Sequence, residues 1–161
     1  MKALKIYILI VIFFLTNTII FAQTSFNDGL SKANSQNKKV LVSICVESDS
    51  WCKKMETVYS TDVIKSAING NFIFVKLNAQ GTENYTYNGK QYSASDLSKY
   101  LGATGYPTHV FLNPDGSIIK FKNNGEVSGS YPGYIDAGEF EKLLKYFSSN
   151  QFKDTDLSKV L

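Results

Sequence analysis

Two cysteines, one tryptophan and one histidine are the side chains of this 161-residue chain best equipped for chemistry. Cys45 and Cys52 stand seven positions apart in CVESDSWCKKME, with Asp49, Ser50 and Trp51 just before the second thiol. Asp49 or Ser50 can cap a helix that then carries Met55, Val58 and Tyr59 on one side. A thiol in the first turn of such a helix sees unpaired backbone N–H groups and the positive end of the macrodipole, which favour a thiolate. The Asp49 carboxylate opposes that ionisation, while as an N-cap it stabilises the helix by roughly 0.5–2 kcal/mol relative to alanine. Three uses of the thiols are open. Cys52 can be a small buried apolar residue, a single thiol forming mixed disulfides with partners, or one half of a Cys45–Cys52 bridge. The bridge requires the strand-borne Cys45 and Cys52 to bring their Cα atoms within ~7 Å. His109, in THVFL, reads as a packed or strand-edge residue and not a proton shuttle. One histidine and two cysteines at this spacing do not make a zinc site. No phosphate-binding glycine loop is present, so neither metal nor cofactor is expected.

The elements around these residues follow from periodicity. Phe26, Leu30 and Ala33 fall at i, i+4 and i+7, the stripe of an amphipathic helix. VLVSICV is a nearly continuous apolar run rich in β-branched residues, suited to a strand buried on both faces. The helix that begins at Asp49 is expected to continue through Ile64, Ala67 and Ile68 after a kink near Ser60. Asn69-Gly70-Asn71 ends it, and NFIFVKL is a second strand. Residues 78–93 are the loosest stretch, with Asn88-Gly89 able to make a tight hairpin. Tyr85, Tyr87 and Tyr92 there can staple the loop down or rim a site. Ser93 and Asp96 have the spacing of a capping-box variant, opening a short helix that stops at Gly102. THVFL, Asn113-Pro114-Asp115-Gly116 and SIIKF predict a β-hairpin by turn chemistry. A glycine-rich connection over 125–133 leads to a final helix from Asp136, bearing Phe140, Leu143, Leu144 and Phe147. The polar tail from Ser148 is an extension with room for half a helix. Two strands flanking a helix predict a right-handed parallel crossover, and the hairpin adds antiparallel strands. The fold class is therefore an α/β sandwich, a mixed central β-sheet with helices on both faces.

Residues 1–22 read differently from the rest. Lys2 and Lys5 precede the apolar run Ile6 to Leu15, a polar break at Thr16-Asn17-Thr18 and a small residue at Ala22, the pattern of a secretory signal peptide. The break falls before the ~18 uninterrupted apolar residues of a transmembrane helix, so stable membrane insertion is not expected after cleavage. Cleavage after Ala22 leaves 139 residues, and the net charge falls from +3 to +1 as Lys2 and Lys5 leave. Every cation is a lysine, and no basic stripe argues for nucleic acid. Export to a periplasmic or fully secreted location puts the chain where disulfides persist.

Three pieces in this order and spacing resemble the thioredoxin superfamily, over roughly residues 26–147 within a domain spanning 23–147. KKVLVSICVESDSWCKKME is similar to the strand–loop–helix that holds the family's Cys-x-x-Cys pair, with Cys52 at the second cysteine. Gly105-Tyr106-Pro107-Thr108 is similar to the family's cis-proline loop. VFLNPDGSII followed by GYIDAGEFEKLL resembles its terminal hairpin and helix. The resemblance implies a thioredoxin-like fold, thiol–disulfide exchange, and a surface at Trp51, Tyr106, Pro107 and Thr108 that binds extended polypeptide or a protein thiol or disulfide partner. The departure is Asp49, which stands where the attacking cysteine belongs and cannot form a disulfide. A second departure is Ser43, at the strand position where the family often carries a buried carboxylate. Together they imply a monothiol or atypical exchange protein instead of a dithiol reductase. A redox-inactive module that keeps the peptide-docking edge is the other implication.

Overall fold

The computed structural model describes residues 24–161; the expected signal peptide lies outside them. The first helix, α1 (Phe26–Gln36), starts at an Ser25 cap whose hydroxyl accepts from the Asp28 N–H, and ends at Asn37 in the left-handed region. Its buried stripe is Phe26, Gly29 and Ala33. Gly29 lies so close to Val75 that a Cβ there would collide with the valine side chain. The apolar run becomes β1 (Lys39–Cys45), and the second strand is β2 (Phe72–Asn78), parallel to it in the register Val42↔Val75 and Cys45↔Asn78.

Between them are two helices, not one kinked helix. α2 (Ser50–Tyr59) stops at Ser60, and α3 (Asp62–Asn71) restarts after Thr61. Thr61 is extended, which breaks the helical path, and its hydroxyl donates back to the Val58 carbonyl. The stretch expected to be loosest is ordered: β3 (Asn84–Tyr87) and β4 (Lys90–Ser93) form a hairpin. Asn88 and Gly89 both have positive φ, at 50° and 73°, as a two-residue turn matching strand twist requires. α4 (Ala94–Tyr100) follows its Ser93 cap.

Beyond the cis Tyr106–Pro107 bond, β5 (Thr108–Leu112) pairs antiparallel with β1. The return strand expected from SIIKF is only partly formed. Ile118 bridges Leu112 and the Ile119 N–H donates to the Phe111 carbonyl. The chain then leaves the sheet as a separate hairpin of β6 (Phe121–Asn123) and β7 (Glu126–Ser128). Asn124 and Gly125 take φ of 52° and 82°, closing a tight turn, and Asp156 from the chain's tail accepts from both of their N–H groups. The partner of β5 is instead β8 (Tyr131–Pro132), from the glycine-rich connection. Proline at this edge has no N–H to offer a further strand. The sheet order is β2-β1-β5-β8.

The last helix, α5 (Ala137–Ser148), begins at its Asp136 cap. One apolar core joins Leu41, Phe72 and Phe111 to α2, α3 and α5; a second joins Val40, Val42, Ile44 and Val110 to α1, α4 and Tyr87. Helices thus cover both faces of a mixed sheet. The tail folds back as two 3-10 turns, Gln151–Lys153 and Leu157–Lys159. Leu157 is fully buried, Phe152 stacks on Phe147, and the Tyr146 hydroxyl donates to the Thr155 carbonyl.

Candidate functional site

Alternation along β1 sends Val40, Val42 and Ile44 to one face and Leu41, Ser43 and Cys45 to the other, the face that α2 covers. Cys45 ends the strand, and four residues, Val46 to Asp49, carry the chain to the helix. Asp49 caps it: the carboxylate accepts from the Cys52 N–H at 2.8 Å, which fixes the first turn. Cys52 then points down onto the strand end, and the two cysteines are joined in a disulfide with Cα atoms 5.8 Å apart. Of the three uses open from sequence, the structure shows the bridge. No free thiol remains in this state.

The two sulfurs are not equivalent. Cys52 is buried under the helix, whereas Cys45 is half-buried at the strand end. Both line an open cavity of about 290 Å³ together with Val46, Glu47, Lys53, Glu56, Lys76, Leu77 and Asn78. This cavity lies on the β2 side. On the β5 side, the register Ile44↔Thr108 carries Pro107 level with Cys45. Tyr106 is exposed, Pro107 is buried and its carbonyl accepts from the Gly133 N–H at 2.7 Å. Thr108 is fully buried with its hydroxyl donated to the Gly105 carbonyl. It shapes the loop from within and offers no side chain to a ligand.

Trp51 lies at the surface. It is 51% exposed and lies against Tyr134, ring centroids 5.5 Å apart, with the Lys54 ammonium 5.1 Å from the Trp51 ring and 4.3 Å from the Tyr134 ring. Tyr134 and Lys54 were not singled out in the sequence. Tyr134 follows Gly133, whose N–H ties it to the proline loop, but nothing in GYID reveals that hydrogen bond. The tyrosines of the hairpin are staples. Tyr87 is buried, packs edge-on to Phe26, and donates its hydroxyl to the Gly116 carbonyl.

Beneath the disulfide lies a buried polar chain. Tyr59 donates to the Ser43 hydroxyl at 2.8 Å and lies 2.7 Å from His109 Nε2. Which partner donates in the Tyr59–His109 bond follows the imidazole tautomer. His109 Nδ1 meets no partner of hydrogen-bond geometry. Burial pushes the His109 pKa down to about 4, against a smaller opposite pull from the backbone of Tyr131. Burial likewise pushes the Tyr59 phenol up, partly offset by its bond to Ser43. Both groups are neutral at pH 7. Among the described residues, no cluster of histidine, cysteine or carboxylate side chains could hold a metal ion, and no helix is long and apolar enough to cross a membrane.

Residues 26–148 match the thioredoxin-like domain family. The chain belongs to that family. Its fold is similar to a thioredoxin-fold protein from Helicobacter pylori, with 19% identity, TM-score 0.63, and coverage of 77% of this chain and 80% of that one. A thioredoxin from Thermus thermophilus aligns with 20% identity and TM-score 0.55 over 78% of this chain and 85% of the other. The DsbH oxidoreductase aligns with 18% identity and TM-score 0.52 over 76% and 81%. No curated protein is close enough in sequence to match.

Proposed function

We infer that this is an exported thioredoxin-like protein that exchanges disulfides with polypeptide partners through the Cys45–Cys52 pair. The observation that carries the reading is the bridge itself, set where the family holds its site but built from a strand-end cysteine in place of the missing one at Asp49. The difference in burial assigns roles. A partner thiolate attacks the accessible Cys45 sulfur, and Cys52 leaves as a thiolate at the start of α2, where backbone N–H groups stabilise it. A second partner thiol attacks the mixed disulfide at the partner's sulfur. Cys45 is released, the partner is oxidised to a disulfide, and this protein is left as a dithiol. Run backwards, the same steps reduce a partner disulfide. Trp51 and Tyr106 supply exposed aromatic surface beside the proline loop for the partner's chain, with the half-buried Tyr134 behind Trp51.

The test is exchange with a protein disulfide, together with the redox state of both cysteines after acid quenching, alkylation and mass spectrometry. Cys45→Ser and Cys52→Ser should each abolish turnover, and Cys52→Ser should accumulate a mixed disulfide on Cys45. The exposed Trp51, packed against the half-buried Tyr134, favours one other reading, a redox-inactive polypeptide-binding module. That reading wins if the wild type shows no turnover while partner binding survives both serine variants and falls with Trp51→Ala.

A further inference from the structure

The cavity on the β2 side is not accounted for by a polypeptide lying along the proline loop. It opens onto the same disulfide from the opposite flank, because the replacement cysteine sits on β1 between β2 and β5. Val46 and Leu77 line it with side chains committed to the core on the far face of the sheet, and four charged residues line it as well. Glu56 and Lys76 neutralise one another in an ion pair at 2.5 Å. The other two do not. Lys53, on α2, takes part in neither of the two ion pairs formed among the described residues, and Glu47, beyond β1, meets only the Asn78 amide, at 3.5 Å. One ammonium on α2 and one carboxylate just beyond β1, neither in an ion pair among the described residues, therefore line a space of about 290 Å³. That volume lies at the lower edge of the ~300–1,000 Å³ of drug-sized ligand pockets, and suits a small molecule better than a polypeptide loop.

We propose that this cavity binds a low-molecular-weight zwitterionic aminothiol, of the cysteine/cystine type, as the recycling partner of the disulfide, its carboxylate set against Lys53 and its ammonium against Glu47. The proposal rests on the exchange reading above. One aminothiol thiolate attacks Cys45, the Cys45–Cys52 bond breaks, and Cys52 leaves and takes up a proton. A second aminothiol attacks the sulfur of the first. The two leave as their disulfide, Cys45 is protonated, and the protein is reduced by two electrons. In the reverse direction the small disulfide oxidises the dithiol form.

The experiment follows oxidation of the fully reduced protein by four small disulfides: cystine, cationic cystamine, anionic dithiodipropionate and neutral hydroxyethyl disulfide. Each rate is divided by that of a small free thiol with the same probe. Cystine should lead the singly signed and neutral probes by about fivefold to tenfold, the scale of two solvent-exposed charge contacts. Lys53→Glu should shift preference towards cystamine, and Glu47→Lys towards dithiodipropionate; both residues are exposed, so these variants should fold. Equal normalised rates for all four probes overturn the proposal, and so does selectivity that neither variant shifts. Wild-type turnover with a protein disulfide, run in parallel, separates the two failures. If turnover persists while small disulfides are not discriminated, only this cavity's assignment falls; if no disulfide of either kind reacts, the exchange reading falls with it.

Discussion

Asp49 holds the helix start together and opposes the chemistry beside it. Its carboxylate accepts from the Cys52 N–H, so the negative charge lies in the same first turn as the sulfur. Asp49→Asn keeps a capping oxygen and removes the charge. In the reduced variant the Cys52 thiolate should form at lower pH, read by its ultraviolet absorbance across a titration. An unchanged titration would mean that the charge does not reach the sulfur. Deeper in, Tyr59→Phe deletes the hydroxyl that serves both Ser43 and His109. Leaving buried polar groups unsatisfied costs ~1–3 kcal/mol, and denaturant unfolding should show a loss of that size. This chain was only half legible. Cys45, Asp49 and Cys52 were visible as chemistry, and Tyr59 and His109 as packed residues. Their contact was not, because fifty positions separate Tyr59 from His109 and only the β1–β5 register sets Ser43 opposite the histidine.

Among elements, those with strong local signals were readable from the residues alone. The caps at Ser93 and Asp136, the stripe of α1 and the hairpin turn at Asn88-Gly89 all state their geometry within a few positions. The β5 partner did not, because SIIKF and Tyr131–Pro132 compete for one sheet edge. The choice depends on a clamp from Asp156, thirty-one positions beyond Gly125. That carboxylate is held down at about 2, chiefly by the Ser158 hydroxyl and then by the Gly125 N–H. Asp156→Ala removes the acceptor for both turn N–H groups. The β6–β7 turn should then lose hydrogen-exchange protection at Asn124 and Gly125, with the β1–β5 ladder unaffected.

At the scale of the whole molecule, His109 and Asp156 make stability fall in acid. His109 has an ordinary pKa of 6.5 in the unfolded chain and about 4 when folded. Between those values the unfolded chain binds more protons, so stability is fully present above pH 6.5 and is lost as pH falls towards 4, by about 3 kcal/mol. Asp156 acts in the same direction lower down. Its folded value of about 2 lies below the ordinary 3.8, so its contribution is present above pH 3.8 and lost as pH falls towards 2. Thermal melts from pH 7 to pH 4 should show the first loss, and His109→Gln should flatten it. The tail packs into the same core. Leu157→Ala removes a fully buried side chain and should cost ~2–5 kcal/mol, measured by the denaturant midpoint. The disulfide has one more consequence. Its two Cα atoms are pinned 5.8 Å apart, one on a sheet strand and one on a capped helix. A partner caught on Cys45 therefore competes with a neighbour at very high effective concentration. Wild-type mixed disulfides should be fleeting, and the partners of this protein will be found by stopping the clock with Cys52→Ser, not by waiting for the native protein to hold on to them.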